Sequence, residues 1–351
     1  MRFPGFEGEW ANFRLGEIAT FSKGKGISKN DIDDNGNTEC IRYGELYTHY
    51  GETIDKVKSK TNVDVDTLTL SEANDVIIPA SGETMIDIAT ASCVLKSGVA
   101  LGGDLNIIKT KNDGVFLSYY LNSKKKLEIA NLAQGISVVH LYSSQLSSLS
   151  LKLPTLDEQK RISTFLASLD KRIQTQNKII EELETLIKGL SEKLFAQKVR
   201  FKEFAEKWDV KALSDVLIKF EENTIINNQY PILTSARTGI YFQKDYFDGN
   251  EVASKDTKGY NIVPRGYFTY RHMSDDTTFK FNINTICDKG IVSTLYPVFT
   301  TNGVNDYFLK TYLNEGQLFK KYALLQKQGG SRTYMYYNKL IKLRLPFPNI
   351  S

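Results

Sequence analysis

The stretch ISTFLASLDKRIQTQNKIIEELETLIKGLSEKL, residues 162–194, decides the reading of the chain. Ile162, Leu166, Leu169, Ile173, Gln176, Ile180, Leu183, Ile187, Leu190 and Leu194 follow one another in alternating steps of four and three, and nine of these ten positions are apolar. A period of 3.5 residues marks a helix that packs lengthwise on another helix. A helix of roughly 40 residues spans about 60 Å at about 1.5 Å per residue, enough to hold two lobes apart. Gln176, the polar seam position, reads either as a register pin or as a polar residue tolerated at a poorly packed layer. Upstream, Thr155 supplies an N-cap and Glu158 its capping-box partner. The helix should end near Gln197, before Trp208.

Long segments flank this helix on both sides, and they repeat one another. Arg2-Phe3-x-x-Phe6-x-x-x-Trp10 recurs as Arg200-Phe201-x-x-Phe204-x-x-x-Trp208, an offset of 198, and Leu15 and Leu213 follow at the same offset. Further on the offset is 192. Phe116-Leu117, Tyr120-Leu121-Asn122 matches Phe308-Leu309, Tyr312-Leu313-Asn314, and Leu151-Lys152-Leu153-Pro154 matches Leu343-Arg344-Leu345-Pro346. Taken alone, the aromatic motif reads as a staple that anchors a lobe; the ordered succession of matches implies duplication. If the repeat were complete, a second long helix would follow Pro346, so the seam is expected to be exposed or paired with another chain.

At 351 residues the chain has room for two or three domains with their own cores. Apolar content of 41% and charged content of 25% suit a soluble globular protein. No run of apolar residues is long enough for a membrane helix, and MRFPGFEGEW lacks the apolar region of a signal peptide. Cys40, Cys93 and Cys287 form no CxxC pair, which excludes a disulfide framework and a thiolate zinc site and suits a reducing cytoplasm. His49, His140 and His272 show no metal-ligand spacing. The net charge of +4 is uneven: residues 12–154 hold 15 basic and 17 acidic side chains, residues 200–351 hold 21 and 15. Such a weak field neither requires nor forbids nucleic acid.

Within the lobes, strands are expected at residues 41–43, 76–79, 106–108 and 149–153, then at 230–233, 261–264, 266–270, 291–295 and 340–345. Residues 115–132 and 307–327 read as helical. The fold class is therefore α+β: two duplicated lobes, each a curled mixed sheet with peripheral helices, joined by a long coiled-coil helix. The boundaries are 1–153, 154–198 and 199–351.

Motifs for catalysis are missing from the sequence: no P-loop, GxGxxG, GxSxG or HExxH, no amino-methyltransferase signature and no nuclease core. Lys23 to Lys29 is a flexible, glycine-rich basic turn that could meet a phosphate backbone, with Lys25 and Ser28 as its contacts. Polar and aromatic side chains cluster in other loops. The first lobe has Arg42, Tyr43, Tyr47, Ser81 and Thr84. The second has Ser235, Arg237 and Thr238, set by the offset of 192 against residues 42–46, followed by Tyr270, Arg271, Ser331 and Arg332. Arginine can bond guanine through two donors, Ser and Thr can bond base edges or phosphate, and aromatic rings pack on sugars and thymine methyls. Each cluster taken alone is more often a solvated loop. Their recurrence in two copies on one spacer points to two-site DNA reading, and divergence in these loops implies that the copies read different sequences. A two-lobed adaptor without DNA, dimerised through the heptad helix, is the alternative.

The chain resembles the specificity subunit of Type I restriction–modification systems. The resemblance runs over essentially all of residues 1–351 and is most specific in Leu151-Lys152-Leu153-Pro154-x-x-Asp157-Glu158-Gln159-Lys160-x-Ile162 and the helix after it. Arg2-Phe3-Pro4-Gly5-Phe6, Ile41-Arg42-Tyr43-Gly44, Pro79 to Thr84 and Gln134-Gly135-x-Ser137 are also family-like. The resemblance implies a non-catalytic subunit whose two target-recognition domains, 1–153 and 199–351, each read one half of a split site in double-stranded DNA. It further implies two conserved helices packed antiparallel as a spacer, of which the second, after Pro346, is not in this sequence. Modification subunits that bind S-adenosylmethionine would dock on this scaffold, and restriction subunits could join them. No cofactor or metal is expected in the chain itself.

Overall fold

The heptad stretch lies in one unbroken helix, Leu156–Phe195, 40 residues long. The computed structural model describes residues 2–135, 138–204, 206–249, 255–327 and 330–348. Ser137, Gly329 and the closing Asn349-Ile350-Ser351, which enter the sequence patterns above, lie outside the described residues. Gln197, just beyond the helix, has a φ of +56°, a left-handed conformation that ends helical hydrogen bonding. Leu169, Ile173, Ile180, Leu183, Ile187 and Leu190 along the seam are exposed, Ile187 by 60%. Gln176 is exposed with them, while Ile162, Leu166 and Leu194 are half-buried.

The chain divides into two compact units, Met1–Lys178 and Ile179–Ser351. The border falls inside the helix. Each end of the helix belongs to the lobe it touches, because its terminal turns are packed and its middle is not.

The first unit is built on a five-stranded sheet in the order Ala19–Lys23, Leu105–Thr110, Asp75–Pro79, Ser92–Val94, Thr53–Ile54. A four-stranded sheet lies alongside in the order Ser59–Thr61, Thr38–Ile41, Ala100–Leu101, Thr69–Leu70. Parallel pairings of Ala100 with Cys40 and of Thr53 with Cys93 make both sheets mixed. Strand Asp75–Pro79 is buried on both faces. Its two-residue period sends Val76 and Ile78 into one core with Ile108 and Phe116, and Ile77 into a second with Ile41, Leu101 and Ile107. Helical turns Gly114–Tyr120, Leu121–Lys125 and Lys126–Leu132 form the expected run, the middle one π-type, and Asp113 caps it by accepting from the Phe116 amide at 2.7 Å.

The second unit has a four-stranded sheet in the order Leu217–Phe220, Val298–Thr301, Phe268–Thr269, Asn282–Ile283, and, among the described residues, four two-stranded ladders. One ladder is the hairpin Leu233–Ala236 with Gly239–Phe242. Its core is aromatic: Phe268, Tyr270, Phe281, Phe299, Tyr312 and Phe347 are all buried to within 2%. The expected helix over 307–327 is two, Asp306–Glu315 and Gln317–Leu325, broken at Gly316. A Cβ on Gly316 would stand 2.4 Å from the Tyr312 carbonyl oxygen.

Corresponding ladders close the two units and correct the repeat. Ala11 pairs with Leu153, and Asp209, its counterpart at an offset of 198, pairs with Phe347. Leu153 thus corresponds to Phe347, an offset of 194. The match of Leu343-Arg344-Leu345-Pro346 to residues 151–154 is two residues out of register. Leu345 answers Leu151, and Pro346 sits inside strand Arg344–Phe347. The offset is still 192 where Asp113 and Asn305 cap equivalent helices, so the two extra residues enter between that helix and the closing strand. The strand expected over 340–345 is a helical turn, Tyr337–Leu340, followed by that later strand. The strand expected over 41–43 lies earlier, at Thr38–Ile41, and Tyr43–Leu46 is a helical turn. The offset of 192 therefore equates a helical turn with the hairpin strand Leu233–Ala236, and that correspondence fails.

Candidate nucleic-acid interface

In the first unit the segment Leu101–Gly103 gathers the basic loop and Arg42. The Lys25 amide donates to the Leu101 carbonyl at 2.9 Å, and the Gly103 amide donates to the Gly26 carbonyl at 2.8 Å. A Cβ on Gly24 would stand 1.9 Å from the Gly102 carbonyl oxygen, so only glycine permits this approach. The basic turn is thus tied at Gly24–Gly26 to Leu101–Gly103. Lys25 is exposed; Ser28 is exposed too, and its hydroxyl donates to Asp31 at 2.7 Å. Those bonds from Ser28 hold the Asp31 carboxyl below its usual range.

Arg42 lies on the other side of Gly102. Its backbone amide and Nη2 both donate to Glu45, at 3.0 and 3.2 Å, and Glu45 is 4% exposed. The Ser59 hydroxyl also donates to Glu45, which fixes the carboxylate and through it the guanidinium. Tyr43 and Tyr47 are half-buried beside this pair. Burial raises the Tyr47 phenol above its ordinary value, helped by nearby Tyr43, Glu83 and Asp87. Thr84 is exposed and caps a helical turn, donating to Asp87 at 2.6 Å. Ser81 is 6% exposed, inside the ladder of Ser81–Gly82 with Val139–His140, and so is withdrawn as a contact.

In the second unit a cavity of about 340 Å³ is lined by Thr234, Arg237, Thr238, Arg271, Asp275 and Lys280, among others. Arg237 closes a two-pronged ion pair with Asp276, both N···O distances 2.8 Å. Asp276 also accepts from the Ser274 hydroxyl at 2.8 Å and the Thr278 amide at 3.0 Å. Ser274, then Arg237, hold its carboxyl far below the usual range. Arg332 pairs with Asp275 at 2.9 Å and, with Ser331, Tyr334 and Lys339, lines a second cleft of about 420 Å³.

One candidate leaves the site here. Tyr270 is 0% exposed and its hydroxyl donates to the Met335 carbonyl at 2.8 Å, so it is a core residue. Ser235, though only 9% exposed, lines the same cavity as Arg237, its hydroxyl donating to the Thr269 carbonyl at 3.3 Å and accepting from the Asn282 side-chain amide at 2.9 Å. Sequence reading misses Asp275 and Asp276, which the fold brings to arginines 57 and 39 residues away. The turn Ser274-Asp275-Asp276 after Arg271 was the available signal. His272, next to Arg271 in the same loop, is half-buried with its ring 4.7 Å from that of Tyr336, and burial and then Arg271 lower its pKa.

Chemically, both units offer guanidinium forks held by carboxylates. Such forks suit bidentate acceptors, whether a base edge or a phosphate. Among the described residues no group of three or more His, Cys, Asp or Glu is placed to hold a metal ion, and no helix is long and apolar enough to cross a membrane.

The family model for the Type I restriction modification DNA specificity domain matches residues 7–185. The chain belongs to that family. The Type I restriction enzyme MjaVIII specificity subunit of Methanocaldococcus jannaschii is 28% identical over 221 residues, which cover 60% of this chain and 49% of that protein. The match thus spans about half the length of this curated relative. The crystal structure of the Type I restriction–modification system S subunit from M. genitalium aligns with 99% of this chain and 86% of its own, with a TM-score of 0.65 at 14% identity. That likeness is one of fold.

Proposed function

We propose that this chain is the non-catalytic DNA-reading subunit of a Type I restriction–modification complex, each unit reading one half of a bipartite site. The observation that carries the reading is the contrast between a shared frame and divergent contacts. Both units close with the same ladder and cap the same helix, yet one presents Arg42 on a buried glutamate and the other Arg237 on a surface aspartate. A duplicated frame with different arginine settings suits two different half-sites. Methyltransferase subunits, carrying S-adenosylmethionine, would dock on this scaffold; no residue of this chain is assigned to that cofactor. Restriction subunits could join them in the cytoplasm. The exposed seam from Leu169 to Leu190 supports helix pairing with another chain, including a second copy of this one.

Deleting the gene should abolish one bipartite adenine-methylation motif in the host genome, read by methylation-sensitive sequencing; an unchanged methylome overturns the reading. Arg42→Ala and Arg237→Ala should each relax discrimination in a different half-site by roughly 10- to 100-fold. A uniform fall in affinity, with a shallower salt dependence, would reassign that arginine to a phosphate.

A further inference from the structure

The two units share one exposed feature that the reading above does not use. In the first, the Leu141 amide donates to the Ala80 carbonyl at 2.9 Å; in the second, the Met335 amide donates to the His272 carbonyl at 2.8 Å. Leu141 and Met335 are both 0% exposed. Because side chains alternate along an extended strand, burying the central residue turns its two neighbours outward. Those neighbours are rings in both units: His140 and Tyr142, and Tyr334 and Tyr336. The rings of each pair stack on one another, with centroids 6.4 Å apart and planes at 23° in the first, 5.6 Å and 13° in the second. Tyr142 and Tyr336 remain 47% and 45% exposed.

A cation accompanies each pair. Lys23 Nζ lies 5.9 Å from the centre of the Tyr142 ring. Lys339 Nζ lies 3.5 Å from the Tyr334 carbonyl oxygen, and Arg332 lines the same cleft as Tyr334 and Lys339. A flat ring face beside an ammonium or guanidinium group matches a nucleotide, with the base on the ring and the phosphate on the cation. Within a paired duplex both faces of a base are covered by its neighbours, so the matching ligand is an unpaired one.

We propose that His140–Tyr142 and Tyr334–Tyr336 are stacking platforms, one in each unit, for an unpaired nucleotide of the bound DNA, with Lys23 and with Arg332 and Lys339 facing its phosphate. This rests on the DNA-reading function proposed above. The probes are a paired duplex and the same duplex carrying a short run of unpaired thymidines, presented to the full chain alone and with its methyltransferase subunits. The unpaired probe should bind about five-fold tighter or better. Tyr142→Leu combined with Tyr336→Leu should remove that preference while leaving paired-duplex affinity and the melting midpoint in place. The Tyr→Phe pair, which keeps both ring faces, should retain it. With 5-iododeoxyuridine in the unpaired run, photocrosslinks should map to peptides holding Tyr142, Tyr334 or Tyr336. Binding to paired duplex without any preference, a preference that survives the double leucine variant, or crosslinks confined to other peptides overturns the platforms alone. Failure to bind either probe overturns both the platforms and the DNA-reading function.

Discussion

Arg2-Phe3 and Arg200-Phe201 open the same motif, but the two copies meet different surroundings. In the first unit Arg2 grips Glu158 through Nε and Nη2, at 2.7 and 2.6 Å, and Phe3 stands edge-on to Phe165 at 5.6 Å. In the second, Phe201 and Phe204 are 67% and 59% exposed beside an apolar groove of about 750 Å³ that Phe195, Trp208 and Tyr307 also line. The tryptophan behaves alike in both, packing on Phe116 at 6.0 Å and on Phe308 at 5.6 Å. The tryptophan is thus the part of the motif that belongs to the lobe. In the first unit the arginine and phenylalanine arms are held by the helix that begins at Leu156.

The sharpest contrast is between the cores, aliphatic in the first unit and aromatic in the second. Phe299→Ala should cost the second unit about 3–5 kcal/mol, whereas Ile77→Val should cost the first about 0.5–1.5 kcal/mol. Denaturant titration followed by a probe in each unit would read both losses. Equal shifts in the two would erase the contrast. A smaller loss is expected for Tyr270→Phe, which leaves the buried Met335 carbonyl without its donor, at about 1–3 kcal/mol. DNA discrimination should be unchanged by this variant; altered half-site preference at full stability would restore Tyr270 to the interface.

The smallest effect concerns the closed anchor. Arg2 holds the Glu158 carboxyl below its ordinary value of about 4.5 by donating hydrogen bonds to it. A carboxyl whose folded-state pKa is depressed stabilises the fold above the unfolded value, and that contribution is lost as pH falls through the folded one. The first unit should therefore weaken as pH falls below about 4.5. Glu158→Gln should flatten this dependence. Arg2→Ala should be more harmful near neutrality, because it strands a carboxylate that is 1% exposed. An unchanged acid limb in Glu158→Gln would show that Arg2 does not set it.

What could be read from the sequence was whatever repeats locally. The heptad gave helix Leu156–Phe195 within two residues at its end, because a 3.5-residue period needs no tertiary partner to be visible. Glu158 was misassigned to a capping box, since its partner Arg2 is 156 residues away. Pro346 looked like the counterpart of Pro154 because both follow Leu-Lys/Arg-Leu, and only the pairing of Asp209 with Phe347 exposes the two-residue slip. Arg42 and Arg237 could be nominated by type. Their carboxylate partners could be found for Arg42, three residues from Glu45, but not for Arg237, whose aspartate arrives with another strand.

The ladder that closes the first unit joins Ala11–Arg14 to Ser150–Leu153. During synthesis the earliest strand therefore emerges long before its partner exists. At about 5–20 residues per second, the roughly 140 residues between them impose a wait of roughly 7–30 s. Throughout that interval Phe13 and its neighbours form an unpaired strand, and the Arg2 guanidinium has no Glu158 to grip. The first lobe is thus a structure that must be finished before its first strand can settle.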